Sequence, residues 1–268
     1  MAKKTITIKD LLESGAHFGH QKHRWNPKMK RYIFEERNGI YIIDLAKTLQ
    51  QVRQGLEVVR DTVKKRKSIL FVGTKKQAKS VIRECAEESG EFYVCERWLG
   101  GTLTNLTTIR NSVKTLERIE KKLAAGGEGL KKKEISNLTK EHVKLDRNLS
   151  GIRSMRKPPG LVILVDPSHE HIAVQEANKL GIPILALVDT NCNPDPIDHV
   201  IACNDDALKS IKLILGAMAQ EVIDLKNEML IGRSKEGEES PLESGIAVDD
   251  EDEVVRANVA EKTDEERP

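Results

Sequence analysis

The densest group of chemically capable side chains lies near the amino terminus, between residues 17 and 32. Cationic side chains alternate there with aromatic rings and amides. Arginine and lysine can meet phosphates, glutamine and asparagine can bond base edges or sugars, and tryptophan or histidine can stack on an unpaired base. We predict an RNA contact, and favour RNA over duplex DNA because no helix-turn-helix or basic zipper is present. The candidate residues are His17, His20, Gln21, Lys22, His23, Arg24, Trp25, Asn26, Lys28, Lys30, Arg31 and Tyr32.

Three histidines in this segment allow a different chemistry. His17, His20 and His23 lie close together in the sequence, and converging imidazoles could bind zinc. Gly15 and Gly19 argue against a helix that would align the rings, and no cysteine or fourth ligand lies nearby. We therefore favour the RNA contact and expect no metal centre from these three histidines.

Residues 72–77 form a second candidate site. They follow an apolar run and contain Gly73, Lys75 and Lys76, and free N–H groups at the start of a helix attract anions. The Walker A spacing and the G-x-G-x-x-G fingerprint are both absent, so the segment does not predict nucleotide binding. Lys75 and Lys76 are instead candidates for RNA phosphates, and simple exposure to solvent is the alternative.

Acidic residues provide the one enzyme hypothesis. Asp166 and Asp189 fall at the carboxyl ends of predicted strands, where open α/β sheets bind ligands, and Asp205 with Asp206 could join them around a divalent cation. The competing interpretation is that Asp166 and residues 204–206 cap helices. No nucleophile motif or glycine-rich cofactor loop accompanies the carboxylates. We predict no enzyme activity, no cofactor and no small-molecule substrate, and leave open a metal ion near Asp189, Asp205 and Asp206.

The elements that must position these residues follow from hydrophobic periodicity. Short continuous apolar runs alternate with segments whose apolar residues repeat every three or four positions, as in parallel strands and helices. This pattern indicates an α/β fold with a parallel sheet flanked by helices on both faces. Residues 17–30, with Gly19 and Pro27, predict irregular structure. The predicted strands are residues 40–43, 68–73, 161–165, 182–188 and 200–201, and the predicted helices are residues 7–15, 44–65, 74–89, 169–180 and 205–230.

A segment of another kind interrupts the α/β pattern. In its second arm, apolar residues and His142 repeat at the spacing of a heptad seam, and the glycine-rich residues 126–129 separate the two arms. This predicts an inserted antiparallel coiled-coil hairpin over residues 105–155. The α/β body then comprises residues 1–104 and 156–232, and residues 233–268 form an acidic tail.

Charge divides the chain into two opposed parts. Its 268 residues carry a net charge of +2, but residues 234–268 hold 13 acidic and four basic residues, a net −9, which leaves +11 on residues 1–233. The basic body favours binding to phosphate backbones. The tail has too few apolar residues to offset the entropy cost of folding, so we predict that it is disordered. No apolar run reaches the ~18 residues of a membrane helix, and the start lacks the apolar core of a signal peptide, which excludes membrane and secreted proteins.

A series of motifs in a fixed order resembles the S2 family of small-subunit ribosomal proteins. Its amino-terminal part is LLESGAHFGHQ at residues 11–21, followed by WNPKM at residues 25–29. RWLGGTLTN at residues 97–105 is similar to the family's entry into a coiled-coil hairpin. The resemblance extends from about residue 5 to residue 230, and an ordered series of this length is highly specific. Further matches are EHIA at residues 170–173, LGIP at residues 180–183, LVDTNC at residues 187–192 and NDDA at residues 204–207.

The resemblance implies a non-catalytic protein bound to small-subunit ribosomal RNA at the junction of head and body. We accordingly predict a second RNA contact at residues 97–110, with Arg97, Thr104, Asn105 and Arg110 as candidates. The resemblance also implies contacts with neighbouring small-subunit proteins, including the large messenger-capturing protein. Because the match begins close to Met1 and leaves no room for a transit peptide, we expect a bacterial cytoplasmic ribosome, with a plastid-encoded copy as the alternative.

Overall fold

A computed structural model describes residues 6–125 and 131–235 of the chain. Residues 1–227 group as one compact unit, and a second unit begins at residue 228. The predicted acidic tail from residue 236 onward and the glycine-rich segment at residues 126–130 lie outside the described residues. Within the described ranges, none of the helices combines the length and apolar character needed to cross a membrane.

An antiparallel sheet of three short strands comes first in the chain. Its strands are β1 (Phe18–Gln21), β2 (Ile33–Arg37) and β3 (Ile40–Ile43), with β3 between the other two. Two 3₁₀ turns, Lys22–Arg24 and Pro27–Tyr32, connect β1 to β2. The prediction of irregular structure over residues 17–30 is therefore wrong, because β1 is ordered by pairing with β3, beyond the two turns and β2 in the chain. We call the three strands and two turns the small sheet.

Five parallel strands form the main sheet. They are β4 (Ile69–Val72), β5 (Phe92–Val94), β6 (Leu161–Val165), β7 (Ile184–Val188) and β8 (His199–Ala202), in the spatial order β5–β4–β6–β7–β8. Every residue of β4, β6 and β7 is buried, as expected for unbroken apolar runs in a sheet covered on both faces. The predicted parallel sheet is confirmed, although the sequence pattern does not predict β5, which is only three residues long.

The helices follow the predicted periodicity closely. The side chain of Thr7 accepts a hydrogen bond from Asp10 N at the start of the first helix, and the Asp44 side chain accepts hydrogen bonds from Ala46 N and Lys47 N at the start of the second. The helix predicted over residues 74–89 starts five residues later, since residues 73–78 form a loop. The helices are α1 (Ile8–Glu13), α2 (Leu45–Lys64), α3 (Lys79–Ser89), α4 (Leu106–Ala124), α5 (Lys132–Leu149), α6 (His171–Leu180) and α7 (Leu208–Lys235).

Helices cover both faces of the main sheet. On one face, side chains of β4, β6 and β7 share a hydrophobic core with α6 and with part of α4, where Leu116 is fully buried. On the other face, α2 and α7 meet the sheet closely: a Cβ added at Gly55 would lie 2.9 Å from Leu185 Cδ1 and 3.2 Å from Met218 Cε. The core therefore lies on both sides of the main sheet and holds its carboxyl edge in place.

The helices α4 and α5 lie in contact and stand between β5 and β6 in the chain. The core-facing residues of α4 are buried, and His142 Nε2 of α5 lies 3.3 Å from Glu120 Oε1 of α4. Among the predicted heptad positions of α5 itself, Leu149 is buried and the others are half-buried. Two helices are thus inserted where the sequence predicts them. Their description as a coiled-coil hairpin stays a prediction, because the connection at residues 126–130 lies outside the described part.

Candidate functional site

The carboxyl edge of the main sheet gathers a cluster of charged side chains. Lys75, Asp166, Asp189 and Asp205 follow β4, β6, β7 and β8 respectively. The crevice between β4 and β6 lies where successive connections leave in opposite directions, which is the usual ligand position in open α/β sheets. The predicted meeting of these carboxylates is confirmed, since Asp205 N lies 3.4 Å from Asp189 Oδ2, and Asp166 and Asp205 contact the same lysine.

That lysine, Lys75, is held inside the cluster. Its Nζ lies 2.6 Å from Asp205 Oδ1, 2.7 Å from Asp206 Oδ1 and 3.2 Å from Asp166 Oδ2. Burial disfavours the charged ammonium, but the carboxylates outweigh it and raise the pKa of Lys75 above its usual range. The ammonium is therefore engaged by carboxylates of its own chain, which leaves it less available to an RNA phosphate.

Asp205 is fully buried, and its neighbours strongly affect its charge. Burial, together with the adjacent carboxylates of Asp189 and Asp166, raises the pKa of Asp205 to about 7, against the opposing effect of Lys75. Its second oxygen, Oδ2, has no hydrogen-bond partner among the described residues. The cluster thus holds more buried negative charge than its one lysine neutralises.

Among the described residues, His20, Asp189 and Asp205 each offer a ligand atom within 4.8 Å of the others. His20 Nδ1 lies 3.1 Å from Asp189 Oδ2, and this contact with Asp189 outweighs the opposing effect of burial and raises the pKa of His20. These three residues could hold a divalent cation. A second such group among the described residues is Asp166, Cys192 and Asp205. His17 and His23 belong to neither group, so the described residues do not assemble a three-histidine zinc site.

The prediction that Asp166 caps a helix is wrong, because Glu170 is the N-cap residue of α6; Asp166 and Asn204 instead cap the turns that precede α6 and α7. Asp166 Oδ1 accepts hydrogen bonds from Ser168 N at 3.0 Å and His169 N at 3.2 Å. Asn204 Oδ1 accepts from Asp206 N at 2.9 Å at the approach to α7. Asp166 adopts φ = 61°, a left-handed conformation that side chains other than glycine rarely adopt. The edge therefore combines turn capping with one strained backbone position.

In the turn after β4, both donors of Thr74 are taken by the protein itself. Thr74 N and Oγ1 donate hydrogen bonds to Glu170 Oε1 at 2.7 and 2.6 Å, and Glu170 is buried. A carboxylate of the protein itself thus occupies two donors that a phosphate could otherwise use. This agrees with the absence of a nucleotide-binding motif. Lys76 differs from Lys75, because it is exposed and forms no ion pair with the residues that the structure describes.

The small sheet is attached to the main sheet through Thr190, which lies just after β7. Thr190 O accepts a hydrogen bond from Asn26 N, and Thr190 Oγ1 accepts one from His20 N, both at 2.8 Å. A Cβ added at Gly19 would lie 2.6 Å from Thr190 Cγ2, so the close approach requires glycine. Thr190 belongs to the LVDTNC motif at residues 187–192, but its sequence context predicts no role for it. The backbone of residues 17–32 is consequently fixed against the body.

The candidate residues of the small sheet divide into inward-bonded and outward-facing groups. In the first group, Lys28 pairs with Asp195, and the Trp25 ring packs on Tyr41 with centroids 4.8 Å apart. Burial lowers the pKa of His17 in the same group. Further inward contacts are Lys22 with Glu36, Asn26 with Lys28 N, Arg31 with the Tyr32 ring, and Tyr32 with the core. The outward group is exposed, without an ion pair to any described residue, and comprises Gln21, His23, Arg24 and Lys30.

Glu176 of α6 organises the second predicted contact, the segment between β5 and α4. Its carboxylate accepts hydrogen bonds from Trp98 Nε1 at 3.0 Å, Gly101 N at 2.7 Å, Leu103 N at 2.9 Å, and Thr104 N and Oγ1 at 3.1 Å. Burial alone would raise the pKa of Glu176, but these donors hold it below its usual value. No local sequence signal reveals this role, because the partners lie far earlier in the chain.

The four candidates of residues 97–110 also separate by function. Thr104 bonds to Glu176, and Asn105 caps α4 by accepting from Thr108 N at 3.4 Å. Arg97 and Arg110 are exposed, and neither forms an ion pair with a described residue. The segment therefore offers two outward cations on a backbone that buried and capping groups hold in place.

Comparison with known proteins gives one consistent result. The family model described as "Ribosomal protein S2" matches residues 11–224. "Small ribosomal subunit protein uS2" of Protochlamydia amoebophila (strain UWE25) is 74% identical over 231 residues, 86% of this chain and 85% of that protein. The protein of the same name from Chlamydia pneumoniae is 64% identical over 224 residues, 84% and 81% of the two chains. The one from Chlamydia trachomatis serovar A is 58% identical over 257 residues, 92% and 91%.

The match extends over the small sheet, both inserted helices and most of the main-sheet body. The relatives are bacterial and similar to this chain over most of its length. The chain therefore belongs to the ribosomal protein S2 family, a structural and non-enzymatic component of the small subunit that serves translation in the bacterial cytoplasm.

Proposed function

We propose that the chain binds small-subunit ribosomal RNA at the junction of head and body, through the small sheet and residues 97–110. The observation that carries this proposal is the combination of a fixed backbone with free outward cations. Thr190 holds the first segment by a partly buried hydrogen bond and Glu176 holds the second by a buried one. In contrast, Arg24, Lys30 and Arg110 are exposed without acidic partners among the described residues.

The mechanism is positioning. Cations on a rigid backbone meet phosphates at defined places and so fix the orientation of the protein on the RNA. His23 and Gln21 are exposed beside these cations and can stack on, or bond to, unpaired nucleotides. Because folding has already ordered the backbone, little further entropy is lost on binding.

The inserted helices extend the same proposal. We infer that α4 and α5 form an antiparallel coiled-coil hairpin that projects from the body and grips a partner, as the heptad spacing predicts. The 3.3 Å contact between His142 Nε2 and Glu120 Oε1 and the buried face of α4 support contact between the two helices.

The RNA contact of the small sheet is tested by charge reversal. We expect Arg24→Glu with Lys30→Glu to weaken binding of the full chain to small-subunit RNA. The slope of log K against log salt should fall by roughly 0.7 to 0.9 for each lost phosphate contact. Arg53→Glu with Lys209→Glu is the matched control, since both residues are exposed and lie on α2 and α7. A slope equal to that of the control variant would contradict the assignment.

We further propose that the small sheet helps to dock neighbouring small-subunit proteins, including the large messenger-capturing protein. Phe34 on β2 is 71% exposed and Phe18 on β1 is 49% exposed. Exposed aromatic side chains are typical anchors of protein interfaces. Phe34→Ser should therefore leave the chain in small subunits while lowering their content of the messenger-capturing protein, measured by quantitative mass spectrometry of purified subunits. Leu180→Ser, at another exposed apolar position, is the control, and an equal loss in both variants would oppose docking at Phe34.

A further inference from the structure

Three side chains converge where the small sheet meets the carboxyl edge of the main sheet. His20 lies on β1, Asp189 follows β7 and Asp205 follows β8. Each of them offers a ligand atom within 4.8 Å of the others. Asp189 and Asp205 are buried, and the His20 side chain is 15% exposed. The three residues therefore lie across the boundary between the two sheets.

One oxygen of each carboxylate is already engaged by the protein. Asp189 Oδ1 accepts a hydrogen bond from Thr190 Oγ1 at 3.0 Å. Asp205 Oδ1 lies 2.6 Å from Lys75 Nζ. Asp189 Oδ2 lies 3.1 Å from His20 Nδ1, whereas Asp205 Oδ2 is buried with no hydrogen-bond partner among the described residues. A buried carboxylate oxygen without a partner is costly, so Asp205 points to a ligand that its own chain does not supply.

His20 is oriented for metal binding by the second nitrogen of its ring. Its Nε2 lies 3.4 Å from Asp206 Oδ2, while its Nδ1 faces Asp189. Histidine ligands of metal ions usually direct the other ring nitrogen at a carboxylate, which fixes the tautomer and leaves one nitrogen to coordinate. The 3.1 Å between Nδ1 and Asp189 Oδ2 is also close to the roughly 3.3 Å between two ligands of a tetrahedral ion with bonds of about 2.0 Å.

The charge and the accessibility of these residues favour a cation. Lys75 contacts three carboxylates of this edge, and Asp189 adds a fourth negative charge beside them. A divalent ion would offset most of the excess negative charge. A cavity of about 320 Å³ is lined by His20, Asp189 and Asp206 and gives such an ion a route to the site.

The types of ligand atom select among the divalent ions. Magnesium prefers oxygen ligands and retains several waters, whereas an imidazole nitrogen with two carboxylate oxygens suits a transition metal. We propose that His20, Asp189 and Asp205 bind a divalent transition-metal ion, which links β1 of the small sheet to the carboxyl edge of the main sheet. Zinc and manganese both accept this set of ligands, and zinc binds such sites more tightly. The inference goes beyond the proposed RNA contact and does not depend on it.

Calorimetric titration of the full chain, stripped of metal with a chelator and dialysed, measures the binding directly. Zn²⁺, Mn²⁺ and Mg²⁺ are added in separate titrations. We expect one Zn²⁺ ion to bind per chain, Mn²⁺ to bind more weakly, and Mg²⁺ to bind at least roughly tenfold more weakly than Zn²⁺.

Two variants locate the ion. His20→Ala and Asp205→Asn each remove one ligand and should each lower the affinity for Zn²⁺ by at least roughly tenfold. His171→Ala on α6 and Asp61→Asn on α2 are the matched controls, because both residues are exposed and belong to neither metal-ligating group among the described residues. The controls should stay within about threefold of wild type. Circular dichroism of each variant checks that the helices form.

Hydrogen exchange tests the link between the sheets. The backbone N–H groups of His20 and Asn26 donate to Thr190, so they report whether the small sheet stays attached. We expect these two amides to exchange several times more slowly with Zn²⁺ than with a chelator, whereas the amides of β6 should exchange equally in both. His20→Ala should abolish the difference.

The outcomes separate the parts of the inference. Absence of Zn²⁺ binding to wild type, or equal affinity of wild type and His20→Ala, would overturn the site. Tighter binding of Mg²⁺ than of Zn²⁺ would overturn the class of ion. Zinc binding that leaves the exchange of His20 and Asn26 unchanged would overturn the link between the sheets. The RNA contact is tested independently by charge reversal at Arg24 and Lys30.

Discussion

Glu176 shows how one buried carboxylate can position a surface. It receives hydrogen bonds from a ring nitrogen, three backbone N–H groups and a hydroxyl, all in the segment that leads into α4. We expect Glu176→Gln to lower the free energy of unfolding by about 2 kcal/mol at neutral pH, because the new amide N–H₂ group would face donors that need an acceptor. Urea denaturation measures this loss.

The pH dependence of this variant has a definite sign. The pKa of Glu176 is lower in the folded protein than its ordinary value of 4.5, so its ionisation stabilises the fold fully above about pH 4.5. That contribution is lost as the pH falls through the folded pKa. The difference in stability between wild type and Glu176→Gln should therefore shrink between pH 5 and pH 3. Glu57→Gln on α2 is the control, since Glu57 is exposed. A difference independent of pH would contradict the role of charge.

Local sequence patterns do not reveal such roles, because the partners are distant in the chain. Asp166 and Asp189 could be placed at the carboxyl edge from strand periodicity, but Asp166 does not cap a helix as its position predicts: it caps the turn before α6, whose N-cap residue is Glu170. That Lys75 would bind Asp205 and not solvent, however, depends on the order of β4 and β8 in the sheet. The sequence thus predicts which residues lie at the edge but not which of them pair.

The small sheet depends on close contact at Gly19. The Thr190 side chain fills the space that a Cβ at residue 19 would need, and its hydroxyl also anchors β1 by accepting a hydrogen bond from His20 N. We expect Gly19→Ala to displace β1 and lower the free energy of unfolding by about 1–3 kcal/mol, the usual cost of overpacking. RNA binding through Arg24 and Lys30 should weaken at the same time.

Gly100→Ala is the matched control for this variant. A Cβ added at Gly100 would meet no atom within 4 Å, and the backbone there does not require positive φ. Its stability and RNA affinity should stay close to those of wild type. Equal effects of the two substitutions would show that the contact with Thr190 does not hold the small sheet.

Long, periodic elements were predictable from the sequence, and short ones were not. The apolar runs of β6 and β7 and the spacing in α2 and α4 predict those elements within a few residues. The strand β1 contains a glycine and two polar residues in four positions, and it exists through its pairing with β3. β5 has three residues and continues the sheet beside β4. Such strands are set by tertiary contacts that a local pattern does not contain.

Across the whole chain, charge and motif order carry different information. The opposed charges of residues 1–233 and 234–268 favour a polyanionic partner but would suit many nucleic-acid-binding proteins. The ordered motifs identify the family, and the match over residues 11–224 confirms that identification. The structure distinguishes two kinds of cation. Lys75 is paired with carboxylates of the protein, whereas Arg24 and Arg110 are exposed without an ion pair to a described residue.

Sedimentation of the intact chain tests the central claim most directly. A tagged full-length protein is expressed in a bacterial cell, and the lysate is separated on a sucrose gradient with and without ribonuclease treatment. If the chain binds small-subunit RNA, it should sediment with small subunits and move to the top of the gradient after ribonuclease. The same position with and without ribonuclease, or a free species of about 30 kDa in untreated lysate, would contradict the account.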